Sequence, residues 1–350
     1  YQRFIVNALL AGTAPDLFYM DIFWAGSLMR SGTVEPLNAY LEKSSVLKPD
    51  HIIDSLLDAF TIDDQIYGIP KDFNTLAVFF NKDLFDYAGV EYLNDDDTWE
   101  TFYEKLAAVA AVDPDIYGLA LQPEFARMGA LAYAAGFTPF DDSGKTNLAD
   151  DGFVESFKWY TDMATTGVGI MPADLSQGWG GGALATEQVA AALEGAWVIG
   201  ALKDEAPNLQ YGATLIPKHP TTGQRGNLIF TVAWGMNAAS PNKDAAFKVL
   251  EVLTSEEVQQ WVLERGLAIP SRVALADNPY FQQDNPEAQA NYTVFLGASD
   301  GNVLPFSFGI YGGDWMSPIN EALSAVMSKQ STLEEALHEA QIRLDALMQR

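Results

Sequence analysis

The chain has 350 residues, and its 47 acidic and 20 basic side chains give a formal net charge of −27. This excess of acid excludes ordinary nucleic-acid binding and adhesion to an anionic membrane, because both need clustered Lys and Arg. The absence of cysteine excludes disulfides, thiolate catalysis and iron–sulfur or zinc–thiolate sites, and a hydrophobic content of 48% indicates a globular protein long enough for two domains.

Helical and extended patterns alternate along the first half of the chain. Apolar spacing predicts helices over 1–10, 24–30, 97–112, 129–135 and 152–165, and strands over 17–20, 65–70, 76–80 and 116–121. The acidic first turn of the 97–112 helix suits the positive end of the helix dipole.

The alternation continues through the second half. Strands are predicted over 211–216 and 228–234, and helices begin at Ser240 and Ser255. The segment 188–194 fits a strand or a helix equally well. Taken together, the pattern indicates an α/β fold with largely parallel sheets. Because no low-complexity linker divides the chain, it also predicts two lobes between which the chain crosses more than once.

Two local motifs add detail to this picture. The glycines of 178–182 predict a flexible loop close to a ligand, since glycine lets a backbone approach closely. Near the end of the chain, Ser331 and Glu334 predict a capping box for the last helix.

Signatures of metal binding and of serine catalysis are missing from the sequence. The three histidines lie far apart without ligand spacing, and there is no G-x-S-x-G motif, so we expect no metal site and no cofactor. A pair of carboxylates would be enough for a glycosidase. The candidates for such a pair are Asp21, Asp72, Glu124 and Asp314.

Tryptophan gives the most informative signal. The chain has eight, and several are predicted in loops beside Asp or Asn: Trp24, Trp179, Trp197, Trp234 and Trp315. A flat indole covers the apolar face of a sugar ring, and carboxylates accept hydrogen bonds from the surrounding hydroxyls. The set favours a carbohydrate site, although a core position is an equally good interpretation of any single tryptophan.

Six short motifs follow one another along the chain. They are Ala11–Asp16 (AGTAPD), Tyr67–Asn74 (YGIPKDFN) with Phe80–Phe85 (FNKDLF), Thr98–Glu100 (TWE), Gly195–Trp197 (GAW), Asn237–Lys243 (NAASPNK) and Glu334–Leu337 (EEAL). In this order they resemble the extracellular solute-binding proteins of ABC importers, in the carbohydrate-binding group that includes maltose-binding protein. The opening strand, helix and second strand of that family's pattern are not found in this sequence.

The resemblance implies a periplasmic-binding-protein-like fold, with two α/β lobes, a hinge and a ligand cleft between them. It assigns 1–75 and 229–282 to the first lobe, and 76–228 and 283–350 to the second. Closure about the hinge is the expected motion on binding a ligand.

The resemblance also implies the residues that contact the ligand. Stacking or walling side chains are expected at Trp24, Trp179, Trp197, Tyr311 and Trp315, with Trp197 in the family's Gly-x-Trp position. Polar contacts are expected from Asp21, Asp72, Asn74 and Glu124, with Asn74 preferred to Asp72. For Asp21 and Trp24, a helix cap and a core tryptophan are equally good interpretations, and for Asp72 the alternative is a surface ion pair with Lys71.

The implied function is the binding of a neutral mono- or oligosaccharide and its delivery to the membrane permease of an ABC importer. The chain is then a non-enzymatic monomer located in the periplasm or held at the cell surface as a lipoprotein, with a secretion signal expected ahead of residue 1. Two alternatives remain open. One is a secreted glycoside hydrolase that uses Asp72, Glu124 or Asp314, and the other is a non-sugar binder of the same fold.

Overall fold

A computed structural model describes residues 1–349 and contains helices and strands along its whole length. The helices are α1 Gln2–Leu10, α2 Ile22–Arg30, α3 Asn38–Lys43, α4 Asp54–Asp58, α5 Lys82–Ala88, α6 Trp99–Ala110, α7 Phe125–Ala134, α8 Asp151–Thr165, α9 Gly180–Ala185, α10 Trp197–Glu205, α11 Lys243–Leu253, α12 Glu256–Leu263, α13 Pro286–Leu296, α14 Gly313–Met327 and α15 Leu333–Met348. The strands are β1 Leu17–Asp21, β2 Thr61–Ile62, β3 Gln65–Ile66, β4 Gly68–Asn74, β5 Ala77–Asn81, β6 Tyr117–Ala120, β7 Gly169–Ile170, β8 Val189–Glu194, β9 Tyr211–Thr214, β10 Gly226–Met236 and β11 Asn302–Pro305.

The chain divides into two compact units. Unit 1 comprises Tyr1–Asn74, Phe230–Gln282 and Pro305–Gly313, and unit 2 comprises Thr75–Ile229, Gln283–Leu304 and Asp314–Arg350. The chain passes from one unit to the other five times along these boundaries. The sequence assigned 305–313 to the second lobe, which is wrong. These residues belong to unit 1, where the Phe306 ring lies 5.8 Å from Phe23 and 4.6 Å from Phe230.

Unit 1 is built on a sheet in which β10 lies between β1 and β4, both antiparallel to it. The β10 strand begins in unit 2 with residues 226–229, and β11, whose residues 302–304 also belong to unit 2, pairs with β10. Apolar side chains from α3, α4, β4 and α11 form one core cluster, in which Leu37, Ile69 and Leu250 are fully buried. This core supports the sheet from which the polar residues of unit 1 project.

Unit 2 contains a five-stranded sheet in the order β7-β6-β8-β5-β9. The β6 strand is parallel to β7 and β8, whereas β5 is antiparallel to β8 and β9. The prediction of largely parallel sheets is therefore wrong: β6 pairs parallel with β7 and β8, whereas β1 and β4 with β10, β2 with β3, and β5 with β8 and β9 are all antiparallel pairs. The helices between β6, β7 and β8 provide the crossovers that parallel pairing needs.

The ambiguous segment 188–194 is a strand. All six residues of β8 are buried, with β6 on one side and β5 on the other. A strand covered on both faces has no alternation of polar and apolar residues. The spacing of apolar residues therefore could not distinguish a strand from a helix in this segment. Its last residue is Glu194, a charged side chain at the end of a buried strand.

Two local predictions are corrected by the structure. Three of the four glycines in 178–182 do not form a loop, because Gly180–Gly182 is the first turn of α9, and only Gly178 lies before the helix. The capping box of α15 uses Thr332 and Glu335, one residue later than predicted, with the Glu335 backbone N–H donating to Thr332 Oγ1.

Candidate functional site

The polar and aromatic residues of unit 2 gather where β6 and β8 end. These strands are parallel neighbours, so their carboxyl ends lie at the same edge of the sheet. Gln122 and Glu124 follow β6, while Glu194 ends β8 and Trp197 begins α10 three residues later. Ligands of open α/β sheets bind outside the carboxyl ends of strands, so this edge is the candidate site of unit 2.

Glu194 is the most deeply buried charge at this edge. Its side chain has no exposed surface, and its Oε2 accepts hydrogen bonds from Arg127 Nη2 and Trp197 Nε1, each at 2.8 Å. Burial raises the pKa of Glu194, while the Arg127 cation and the nearby backbone N–H of Gly181 favour its ionised form. The carboxylate is therefore an internal anchor and has no surface to offer a ligand.

Trp197 begins α10 and is half-buried. Its indole N–H is bound to Glu194, and the Arg127 guanidinium carbon lies 5.6 Å from the ring centroid, within the range of a cation–π contact. The ring lies against Gly195, where any side chain would overlap it. The Gly-x-Trp spacing thus allows the indole to fold back over the backbone with part of its surface accessible.

Trp179 is the second half-buried tryptophan at this edge. It occupies the N-cap position of α9, and its ring lies over Gly181 and Gly182, where side chains would collide with it. The backbone N–H of Gly180 donates to Gln122 Oε1 at 2.9 Å, which ties the first turn of α9 to the end of β6. The glycine run therefore makes room for a ring and does not form the flexible loop predicted.

Glu124 is half-buried at the N-cap position of α7, but its side chain does not cap the helix. Its backbone N–H donates to the Gln122 carbonyl at 2.8 Å. A carboxylate that is not used as a cap is available to accept hydrogen bonds from a ligand's hydroxyl groups.

In unit 1, Asp21 and Asp72 lie on either side of one strand. Both are in register with Val232 of β10, so their side chains project from the same face of the sheet. Asp72 is buried and paired with Lys71, and burial raises its pKa. Asp21 caps α2 by accepting from the Phe23 backbone N–H at 3.2 Å. Asp21 is therefore a helix cap in this structure and Asp72 a buried member of an ion pair.

The remaining candidates differ in exposure. Asn74 is buried at the end of β4, and Tyr311 is half-buried in the 305–313 segment of unit 1. Trp24 is 6% exposed within α2. Trp315 has no exposed surface: its Nε1 donates to Thr146 Oγ1 at 2.8 Å, and the Phe125 ring meets it edge-on at 4.9 Å. Trp315 thus presents no ring face to a ligand in this structure.

Three residues of this arrangement escaped the sequence analysis. Glu194, Arg127 and Gln122 were not candidates, although the structure joins them to the predicted Trp197 and Trp179. Glu194 could have been found from the sequence, because it is a single acidic residue at the end of an apolar segment. A buried charge of this kind needs a hydrogen-bonding or ion-pair partner. Arg127 could not have been found in this way, since its partner Glu194 lies 67 residues away along the chain.

A pH dependence follows from the position of Asp21. Burial, and to a lesser extent the Asp72 charge, raise its pKa from 3.8 to about 6, so the folded chain binds this proton more tightly than the unfolded chain does. Its contribution to stability is complete below pH 3.8 and is lost as the pH rises through about 6. Asp21→Asn retains a capping side chain without the charge. Its free energy of unfolding, relative to the parent, should therefore rise by about 2 kcal/mol between pH 4 and pH 7.

Denaturant unfolding of both chains at several pH values measures this difference. A difference that stays constant from pH 4 to pH 7 would contradict the account.

Other kinds of site find no support in residues 1–349. Over this range, no group of three or more His, Asp or Glu side chains is placed to hold a metal ion. None of the helices described combines the length and apolar character needed to cross a membrane.

Known proteins resemble this chain over almost its whole length. A Brucella abortus (strain 2308) protein described as a binding protein is 25% identical over 353 residues, spanning 99% of this chain and 82% of its own. The galactooligosaccharide-binding protein of Bacillus subtilis (strain 168) is 22% identical and covers 94% of this chain and 76% of its own.

A solved structure shows the same fold. The ABC substrate-binding protein from Listeria monocytogenes in complex with cycloalternan superposes with a TM-score of 0.90 at 23% identity, covering 99% of this chain and 88% of its own. The fold is thus α/β and periplasmic-binding-protein-like. A family profile described as bacterial extracellular solute-binding protein matches residues 3–290. The chain therefore belongs to the family of bacterial extracellular solute-binding proteins.

Proposed function

We propose that the chain binds a neutral mono- or oligosaccharide outside the cytoplasmic membrane and delivers it to the permease subunits of an ABC importer. The observation that carries this proposal is the pair of half-buried tryptophans, Trp179 and Trp197, at the carboxyl ends of parallel strands beside Glu124. Indole faces cover the apolar side of a sugar ring, and a carboxylate accepts from its hydroxyls.

The relatives support a sugar as the ligand. The names of the Bacillus subtilis and Listeria monocytogenes proteins give a galactooligosaccharide and cycloalternan, both carbohydrates. From these relatives we infer only the class of ligand for this chain, a carbohydrate, and not the individual sugar. The family's extracellular role supports an extracytoplasmic location, and its binding role supports delivery without chemical change.

The charge of the chain supports a neutral ligand. With a formal net charge of −27, the long-range field repels anions. At the unit 2 edge, Arg127 is already paired with Glu194 and is therefore not free to bind a phosphate or carboxylate. A sugar phosphate is therefore a poor candidate at this edge.

Thermal unfolding against a panel of sugars tests the proposal. A ligand at about 100 times its Kd adds about 2.7 kcal/mol to stability, which raises the Tm by a few degrees for a chain of this size. We expect this rise with a few related neutral mono- or oligosaccharides, and none with the corresponding sugar phosphates. A folded protein whose Tm responds to no neutral sugar would refute the proposal.

A further inference from the structure

We propose that Glu194 is a positioning residue, which orients Trp197 and Trp179 for ligand binding without touching the ligand itself. This inference rests on the proposed function, because it explains how the two rings are held in a site for a sugar. It concerns a residue that neither the family motifs nor the sequence analysis singled out.

Direct contact between Glu194 and a ligand is excluded by its surroundings. The side chain has no exposed surface: its Oε2 already accepts from both Arg127 and Trp197, and its Oε1, which has no hydrogen-bond partner among the residues described, is buried against Gly180 in the first turn of α9. Breaking either bond in favour of a sugar hydroxyl would leave a buried donor unsatisfied. The carboxylate therefore acts on the ligand only through the groups that it holds.

Trp197 is held directly. Its Nε1 is 2.8 Å from Glu194 Oε2, and an indole N–H is the only hydrogen-bonding group on that ring. Because Arg127 binds the same oxygen and also lies over the ring, the carboxylate, the guanidinium and the indole form one closed group. Rotating the indole would cost the hydrogen bond and the cation–π contact together.

Trp179 is held through the first turn of α9. A Cβ at Gly180 would lie 2.7 Å from Glu194 Oε1, so the carboxylate is packed against this turn. The Trp179 ring lies over Gly181, the next residue of the same turn. Moving Glu194 would therefore displace the turn that supports the second ring.

The test combines a spectroscopic and a binding measurement on the full chain. 5-Fluorotryptophan is incorporated, the fluorine resonance of Trp197 is assigned with Trp197→Phe, and the spectrum of Glu194→Gln is recorded without ligand. Sugar affinity is then measured for the parent, Glu194→Gln, Trp197→Phe and the double variant. A matched control is Glu251→Gln, which neutralises a buried carboxylate of unit 1 that accepts from Ser44 and Lys248.

We expect Glu194→Gln to shift the Trp197 resonance and to weaken sugar affinity about tenfold, the lower end of the cost of replacing a side chain that orients a metal-binding residue. In the Trp197→Phe background, which lacks the indole N–H, the further loss should be under about twofold, because coupled residues are not additive. Glu251→Gln should change neither the resonance nor the affinity.

An unmoved Trp197 resonance, or equal losses in both backgrounds, would overturn the inference. If Glu194→Gln does not fold, Glu194→Asp replaces it, because the shorter side chain keeps the charge but withdraws the acceptor from the Trp197 N–H. An unmoved resonance or equal losses of affinity with this variant would likewise overturn the inference. A parent chain that binds no neutral sugar would overturn the proposed function instead, while the resonance would still decide whether Glu194 orients Trp197.

Discussion

Replacing Trp197 with alanine should weaken the binding of the neutral sugar about thirtyfold or more. A central aromatic contact typically contributes about 2 kcal/mol or more to binding, which corresponds to this factor. The half-buried ring at the start of α10 is the side chain that the structure holds most firmly at the unit 2 edge, through Glu194 and Arg127. Titration calorimetry on the parent and the variant measures the change in Kd.

The control for this experiment is Trp261→Ala. Trp261 is 50% exposed on α12 of unit 1, where Arg265 stacks on its ring with 3.6 Å between the guanidinium carbon and the ring centroid. Losing this ring should leave sugar affinity unchanged. Equal sugar affinities for Trp197→Ala and the parent would mean that Trp197 does not contribute to ligand binding. That result would favour a ligand held by charges and helix N-termini.

Trp315→Ala should lower the free energy of unfolding by about 3–5 kcal/mol, the range for deleting a large buried aromatic side chain. The ring is fully buried between Phe125, 4.9 Å away, and Phe140, 5.8 Å away, and its N–H is satisfied by Thr146. Removing it leaves a cavity and deprives Thr146 Oγ1 of one donor, although this hydroxyl still donates to the Pro139 carbonyl at 2.7 Å. Denaturant unfolding measures the loss.

Two further measurements separate packing from binding at Trp315. Trp315→Phe should restore most of the stability, because it refills most of the cavity. Sugar affinity of both variants, measured below their unfolding transitions, should match that of the parent. Unchanged stability together with a large loss of affinity would mean that Trp315 contacts the ligand, as the family resemblance implied.

Much of the fold could be predicted from local patterns. The helix at Gln2–Leu10, the strand at Leu17–Asp21 and the helix at Trp99–Ala110 lie where apolar spacing and caps put them. Strand direction could not be predicted, because it depends on which distant segments become neighbours. The long strand β10 is the clearest case, since it pairs antiparallel with β1 and β4, from more than 150 residues earlier in the chain.

Two aromatic residues at the candidate site of unit 2, Trp179 and Trp197, were among the predicted residues, whereas the side chains that hold them were not. The Gly-x-Trp motif at Gly195–Trp197 pointed to Trp197 directly. Its partner Arg127 belongs to a different helix, and no spacing rule connects two residues 67 positions apart. The glycine run at Gly180–Gly182 was misread because a helix rarely opens on three glycines. Contacts with Gln122 and Glu194 at neighbouring strand ends outweigh the low helix propensity of glycine.

The most direct test is titration calorimetry of the chain with the neutral sugar that most raises its Tm, followed by chromatography of the sugar recovered after long incubation. The account predicts saturable binding and a sugar that is recovered intact. No saturable binding of any neutral sugar, or recovery of cleaved products, would contradict it, and cleavage would identify the chain as a carbohydrate-active enzyme.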